Sequence, residues 1–244
     1  MRIRIVGPGR AGLSFSNAFN QIGWDVVDLL GKEDDVSEAA QGVDLVLLTV
    51  PDHAVGHTAS HIRKNDSAVI AHVAGSLTLK SIDGHKRRAS CHPLLSLPNP
   101  SIGGIRLLNE AWFAVAGDPI AVDIVRAFGG RSFHVAEEKR ALYHATACVA
   151  ANHLVVLLAQ VQRLCEIVDL PFEAYENLIQ GTLDSVIEIG PEGSLTGPAV
   201  RGDLATIQSH LDALPESEKN LYRSLTEAAQ EFATNLDNSQ DMNP

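Results

Sequence analysis

The first thirty residues leave few folds open. Arg2-Ile3-Arg4-Ile5-Val6 is a short β-like run, and it leads directly into Gly7-Pro8-Gly9-Arg10-Ala11-Gly12. A helical pattern follows, with apolar Leu13, Phe15, Ala18, Phe19 and Ile22, and a second β-like run, Val26 to Leu30, comes after Gly23. Strand, G-x-G-x-x-G, helix, strand is the context that makes the glycine pattern informative. Gly7 permits the tight turn, Gly9 lets a pyrophosphate approach the backbone, and Gly12 lets the helix pack on the strand. The helix N-terminus then offers free N–H groups and a positive dipole end to phosphate. Gly7, Pro8, Gly9, Arg10, Ala11 and Gly12 are therefore expected to hold a dinucleotide. The competing reading is a turn that is glycine-rich and nothing more.

Bulk properties argue against several other functions. Nineteen Lys and Arg stand against thirty Asp and Glu, a net charge of −11, which phosphate backbones would repel. No unbroken run of about 18 apolar residues occurs, so no membrane span is expected. The N-terminus begins a strand at once and carries no secretory pattern. Cys91, Cys148 and Cys165 are odd in number and widely spaced. They read as reduced thiols of a cytoplasmic protein, not as a disulfide frame or a zinc site. From about Asn235 to Pro244 the chain is polar enough for a frayed tail.

Further apolar runs, Asp44 to Val50, Ala68 to Val73, Ala89 to Cys91, Trp112 to Ala116 and Ser132 to Val135, alternate with helical patterns. Near-continuous apolar strands between helices imply a mostly parallel, doubly wound sheet covered on both faces. From Glu137 the pattern changes to one long helix reaching Asp169, without internal Gly or Pro and rich in alanine. Pro171 suits the start of the next helix, Gly190-Pro191-Glu192-Gly193 breaks it, and two more helices follow. The expected organisation is an α/β dinucleotide-binding domain over residues 1–136 and an all-α domain over 137–244. Small residues on the long helix suit close packing between neighbours or between two subunits.

Several residues carry a resemblance. They are Val50-Pro51-Asp52, His72 with Gly75, Cys91-His92-Pro93-Leu94, and Tyr143-His144-Ala145 with Asn152. Leu195-Thr196-Gly197-Pro198 through Arg201-Gly202-Asp203, Thr206, His210 and Leu211 complete the set. With them, a small Rossmann domain followed by a helical domain resembles the superfamily of pyrroline-carboxylate, ketopantoate and hydroxyacid reductases. It is most similar to a branch joining a Rossmann-like domain to a helical domain of unknown function. The resemblance implies an NAD(P)-dependent reductase, usually a homodimer through its helical domain, with Val50, Pro51 and Asp52 beside the cofactor. Two departures stand out. Relatives use a lysine and an asparagine one turn apart on the long helix; if Asn152 is that asparagine, Cys148 stands at the lysine position. No lysine occurs between Lys139 and Lys219, and Ala74 replaces a serine common in the branch.

For such a reductase the cofactor carries the hydride, and the protein orients the substrate and supplies a proton. Histidine suits the proton donor because it titrates near neutral pH. His144, Cys148 and Asn152 sit at steps of four along the long helix, so His144 is the first candidate acid and Asn152 a candidate donor to the substrate carbonyl or imine. Tyr143 is a second acid, expected on another side of the helix. Interhelix polar contacts would explain the same stripe. His92 should open at the carboxyl edge of the sheet, where ligands bind, and is a candidate substrate contact; a structural turn histidine is the equal alternative. His72, inside an apolar strand, reads as a core histidine bonded to backbone. Thr196, Arg201 and His210 are candidates to bind a substrate carboxylate beside a helix start; the alternative is an Arg201–Asp203 pair that caps the helix. His53, His57 and His61 have metal-ligand spacing, but with Val55, Ala59 and Ile62 as the buried face they read as a solvated stripe. No acid sits where a ribose-binding carboxylate usually lies, and Lys32 could meet a 2′-phosphate, which favours NADP over NAD, while Glu33, Asp34 and Asp35 following at once would oppose it. A dinucleotide-binding sensor or scaffold without chemistry is the second functional reading, supported by the missing lysine.

Overall fold

A computed structural model describes residues 1–240, with side chains to residue 236. Seven strands form one sheet: β1 (Arg2–Val6), β2 (Asp25–Leu30), β3 (Leu45–Leu48), β4 (Val69–His72), β5 (Arg88–Pro93), β6 (Trp112–Gly117) and β7 (Arg131–His134). Their order is β2-β1-β3-β4-β5-β6-β7. The first five are parallel, β6 runs antiparallel to β5, and β7 is parallel to β6. β3 and β4 are buried along their whole length, as unbroken apolar runs require. Their alternate residues feed two cores. Leu45, Leu47, Val69 and Ala71 join Phe15, Phe19 and Phe128 on one face. Val46, Leu48 and Ile70 join Val55, Ala59 and Ile62 on the other. The expected doubly wound, mostly parallel sheet is present.

Four helices cover this sheet: α1 (Arg10–Gln21), α2 (Asp52–His61), α3 (Pro100–Leu107) and α4 (Ile120–Ala127). Helix α3 has no counterpart in the sequence reading. Asn99 caps it through the Ile102 N–H, Pro100 occupies its first turn, and its glycines let it lie against α1. A Cβ on Gly103 would strike the Ser14 hydroxyl at 2.1 Å, and one on Gly104 would crowd Asn17 at 3.0 Å.

Beyond β7 the chain is helical. A 3-10 turn at Glu137–Lys139 leads into α5 (Arg140–Cys148), a π turn at Val149–His153, and α6 (Leu154–Ile167). The long helix is thus real but contains a widened turn. α7 (Glu176–Ser194), α8 (Leu204–Ala213) and α9 (Glu216–Gln240) follow. α7 is broken by Gly190 at φ +79°, where the expected interruption falls. α9 runs through the start of the expected tail, and residues 241–244 of that tail lie outside the described residues.

The chain divides into two compact units, Met1–Leu154 and Val155–Pro244. The first therefore includes α5 and the π turn, where the sequence placed the boundary at 136. Within the second unit, the Gln160 amide donates to the Glu218 carbonyl at 2.9 Å, and Arg163 grips the Glu218 carboxylate in a fork at 2.8 and 2.9 Å. Gln160, Cys165, Ile207 and Glu218 are its buried residues among those described. Many apolar side chains of this unit stay exposed, including Val155, Leu178, Leu204 and Ile187, the last at 84%. By length and composition the helix Glu137–Ile167 is apolar enough to cross a membrane. Asn152, His153 and Gln160 interrupt its apolar runs, which is why the unbroken-run criterion did not find it.

Candidate active site

The carboxyl edge of the parallel strands gathers the candidate residues of the first unit. In this strand order the direction of winding reverses between β1 and β3, and ligands of such sheets lie in the crevice there. The glycine turn sits at that point. Gly7 holds φ +97°, and a Cβ on it would meet Val50 at 2.8 Å. A Cβ on Gly12 would lie 2.4 Å from the Gly7 carbonyl and 2.6 Å from the Thr49 hydroxyl. That hydroxyl donates to the Gly7 carbonyl at 2.6 Å, so the end of β3 pins the turn. Gly9 differs: a Cβ there would meet nothing within 4 Å. The fold itself requires glycine at Gly7 and Gly12, whereas at Gly9 the bare backbone faces open space. Gly9 is the N-cap of α1, with no side chain capping the helix and no acidic residue in its first turn. That end is electrostatically ready for phosphate, so the residues present fit a dinucleotide.

The neighbouring loops are tied to this turn. Val50 and Pro51 lead into α2, and Asp52 in its first turn accepts a hydrogen bond from the Ser76 hydroxyl at 2.7 Å. At the end of β2, Lys32 is exposed. Asp28 lies within the strand, 3.7 Å from the Arg4 guanidinium, and Asp34 accepts the Gly31 N–H at 2.7 Å.

Next to this crevice, around Gly75, the structure assembles a polar cluster. His92 is the penultimate residue of β5, and its Nδ1 lies 2.7 Å from the Tyr143 hydroxyl. The His144 ring stands edge-on to His92, with centroids 5.7 Å apart. A Cβ on Gly75 would lie 2.5 Å from His144 Nδ1 and 2.8 Å from His92 Nε2, so both rings close on this glycine. Arg140 Nη1 donates to the Gly75 carbonyl at 3.4 Å. His144 Nδ1, Arg140 Nη2 and both nitrogens of His72 are buried without a hydrogen-bond partner. The backbone of Thr78 and Ala74 favours charge on His72 electrostatically but makes no well-formed hydrogen bond to it.

Burial sets the protonation of this cluster. It pushes His72 down to about 4, helped by the Arg140 charge. It pushes His92 to about 4 as well, helped by His144 and Arg140. It raises the Tyr143 phenol to about 12, with Arg140 pulling the other way. At neutral pH His72 and His92 are therefore uncharged and Tyr143 keeps its proton.

His92 and His144, separate candidates in the sequence, stand edge-on to each other. Tyr143 departs from expectation by touching the same histidine as His144. His72 is buried in its strand but lacks the expected backbone bonds. Asn152 lies in the π turn and is exposed. Cys148 is a free thiol on α5, and Cys91 and Cys165 are free and buried. His53, His57 and His61 lie exposed along α2, above buried Val55, Ala59 and Ile62. In the second unit, Thr196, Arg201 and His210 are exposed. Asp203 caps α8 by accepting the Thr206 N–H at 3.0 Å, and His210 Nδ1 meets the Tyr222 hydroxyl at 2.7 Å. Arg140 and Gly75 have central places in the cluster, yet the residue reading assigned neither a role in it.

The fold and the glycine turn define a Rossmann-type architecture extended by helices. Residues 111–229 match the model of a domain of unknown function, DUF2520, so the expected combination of Rossmann-like and helical parts stands. No curated protein matches the sequence. Among solved structures, a Bacteroides fragilis protein designated an NADP oxidoreductase has a TM-score of 0.82 at 21% identity, covering 94% of this chain and 98% of its own. A Thermotoga maritima protein has a TM-score of 0.69 at 23% identity, over 96% and 99% of the two chains. The pyrroline carboxylate reductase of Plasmodium falciparum, solved with NADP bound, has a TM-score of 0.61 at 13% identity over 96% and 98%. At these identities the likeness is one of fold.

Proposed function

We propose that the chain is a cytoplasmic NAD(P)-dependent reductase of a C=O or C=N bond in a small carboxylate-bearing metabolite. The observation that carries this reading is the half-buried His92–His144 pair beside a glycine turn whose Gly9 is left bare. Gly7 to Gly12 would hold the pyrophosphate, and Val50, Pro51 and Asp52 would flank the cofactor. The bound nicotinamide supplies the hydride. His144 is the proton donor to the developing oxyanion or amine. His92, held neutral, packs edge-on against the ring of His144 and is itself positioned by the Tyr143 hydroxyl, which keeps its proton. Asn152 remains the candidate amide donor to the substrate carbonyl or imine, and Thr196, Arg201 and His210 remain candidate substrate contacts.

NADP is the preferred cofactor in this reading. Asp28 is drawn to Arg4, Asp34 is turned to a backbone amide, and Lys32 is free to meet a 2′-phosphate. The test is calorimetric titration with NADPH and NADH, then turnover on a panel of 2-oxo and imino acids. Tighter binding of NADPH and oxidation by one class of acid are expected. Absence of binding by either cofactor at millimolar concentration would refute the reading.

The working form is proposed to be a homodimer through the helical unit. That unit buries few of its own residues while exposing Val155, Leu178, Ile187 and Leu204. Exposed apolar surface of this kind marks an association surface. A bilayer is the less suitable cover, because the α6 end of the long helix is bound to α9 through Gln160 and the Arg163–Glu218 pair. Light scattering should give a dimer at micromolar concentration. Leu178→Glu with Ile187→Glu should weaken it on the order of 10²-fold or more, since a charge would be buried unpaired. A monomeric wild type would remove the claim.

A further inference from the structure

Arg140 is 2% exposed, yet no carboxylate lies within ion-pair distance of it among the described residues. Glu137, three residues away, pairs with Lys80 at 3.2 Å, and Asp52 holds Ser76. Of the five N–H donors of a guanidinium, Arg140 spends one on the Gly75 carbonyl at 3.4 Å, and Nη2 is buried with no partner. Burying an unpaired cation is costly unless an anion completes it. Glu137 favours the Arg140 charge from beyond ion-pair distance, but that carboxylate is held by Lys80. Burial first, and the Arg140 charge in addition, keep His72 and His92 neutral, and Tyr143 keeps its proton. A buried cation without an ion-pair partner therefore stands at one place, beside Gly75 and the two imidazoles that close on it.

We propose that Arg140 is the receptor for the substrate's carboxylate, gripping it beside Gly75 and His144 so that the adjacent carbonyl or imine faces the His144 ring. The proposal rests on the reductase reading and sharpens it to a 2-oxo or 2-imino acid. The planar fork of arginine matches the two oxygens of a carboxylate. A dinucleotide phosphate offers similar oxygens, but the glycine turn that suits it follows β1. Gly75 follows β4, two strand spacings or about 10 Å away. Arg201, the arginine the sequence favoured for this task, is exposed.

Oxalate, a planar and non-reducible carboxylate probe, tests this by calorimetry on the protein with and without saturating NADPH. Wild type should bind oxalate, and Arg140→Gln should weaken that binding on the order of 10²-fold while NADPH affinity stays within about twofold. Arg140→Lys, which keeps the charge and loses the fork, should fall between the two and decides the matter if the glutamine variant does not fold. Inorganic phosphate should compete poorly. Oxalate binding unaffected by these variants overturns the proposal. So does a parallel loss of NADPH and oxalate affinity, which would assign Arg140 to the cofactor. Wild type that binds NADPH but not oxalate overturns it and leaves the reductase reading standing. Failure of NADPH alone sinks the reductase reading, and the cofactor-free titration still judges Arg140.

Discussion

Gly9→Asp should abolish dinucleotide binding and leave the fold intact. A Cβ at this position meets nothing within 4 Å, and the backbone φ of −81° suits any residue, so the protein has room for the side chain. Aspartate is also a favoured N-cap and should hold or slightly raise the melting temperature. Its carboxylate would nevertheless stand where the pyrophosphate must lie. Like charges set against each other cost several kcal/mol, which is on the order of 10²-fold or more in affinity. Gly12→Ala should behave in the opposite way. Its Cβ would press on the Gly7 carbonyl, so the expected damage is to stability first. Calorimetry with NADPH, paired with thermal unfolding, separates the two. Wild-type NADPH affinity in the Gly9→Asp protein would show that the glycine turn is not the cofactor site.

The other large effect is expected at His144. Removing a general acid lowers turnover by about 10²–10⁴, so His144→Ala should do so with little change in NADPH affinity. Tyr143→Phe should cost less, because it removes only the hydroxyl 2.7 Å from His92 Nδ1 and leaves the ring packing in place. Steady-state kinetics on the best substrate, with cofactor affinity measured alongside, distinguishes a chemical role from a structural one. Turnover of His144→Ala within a few-fold of wild type would clear His144 of the role. It would also shift weight to the dinucleotide-binding sensor or scaffold, since Cys148 already leaves the usual lysine position unfilled.

The Rossmann half was legible because its signals are local. Apolar strands, the glycine turn and helix patterns each announce themselves within a few residues. The direction of β6 was not, because residues alternate in the same way in either orientation. Helix α3 was missed since Pro100, Gly103 and Gly104 look like a loop; their smallness is needed for contact with α1, which only tertiary structure reveals. Arg140 was hidden for a related reason. It ends the run Glu137-Glu138-Lys139-Arg140, which reads as a solvated charged stretch, and it alone of the four is buried. Tyr143 was assigned to another face of the helix because neighbours diverge by about 100°. A histidine on an adjacent strand can sit between two such neighbours and touch both, and His92 does so.

The π turn at Val149–His153 acts as a phase correction. In an unbroken α-helix, Asn152 would lag His144 by eight residues, a rotation of about 80° past two full turns. A π turn takes up one residue more than an α turn, so about 100° is returned across it; Asn152 lies inside the turn, where part of that is recovered and the two positions are drawn closer than about 80°. The distorted turn thus draws together what a regular helix would splay apart. A chain shortened by one residue at Ala150 would gain a smoother helix between His144 and Leu154, with the amide and the imidazole kept aligned. A chain that kept its length but straightened the turn would lose that alignment.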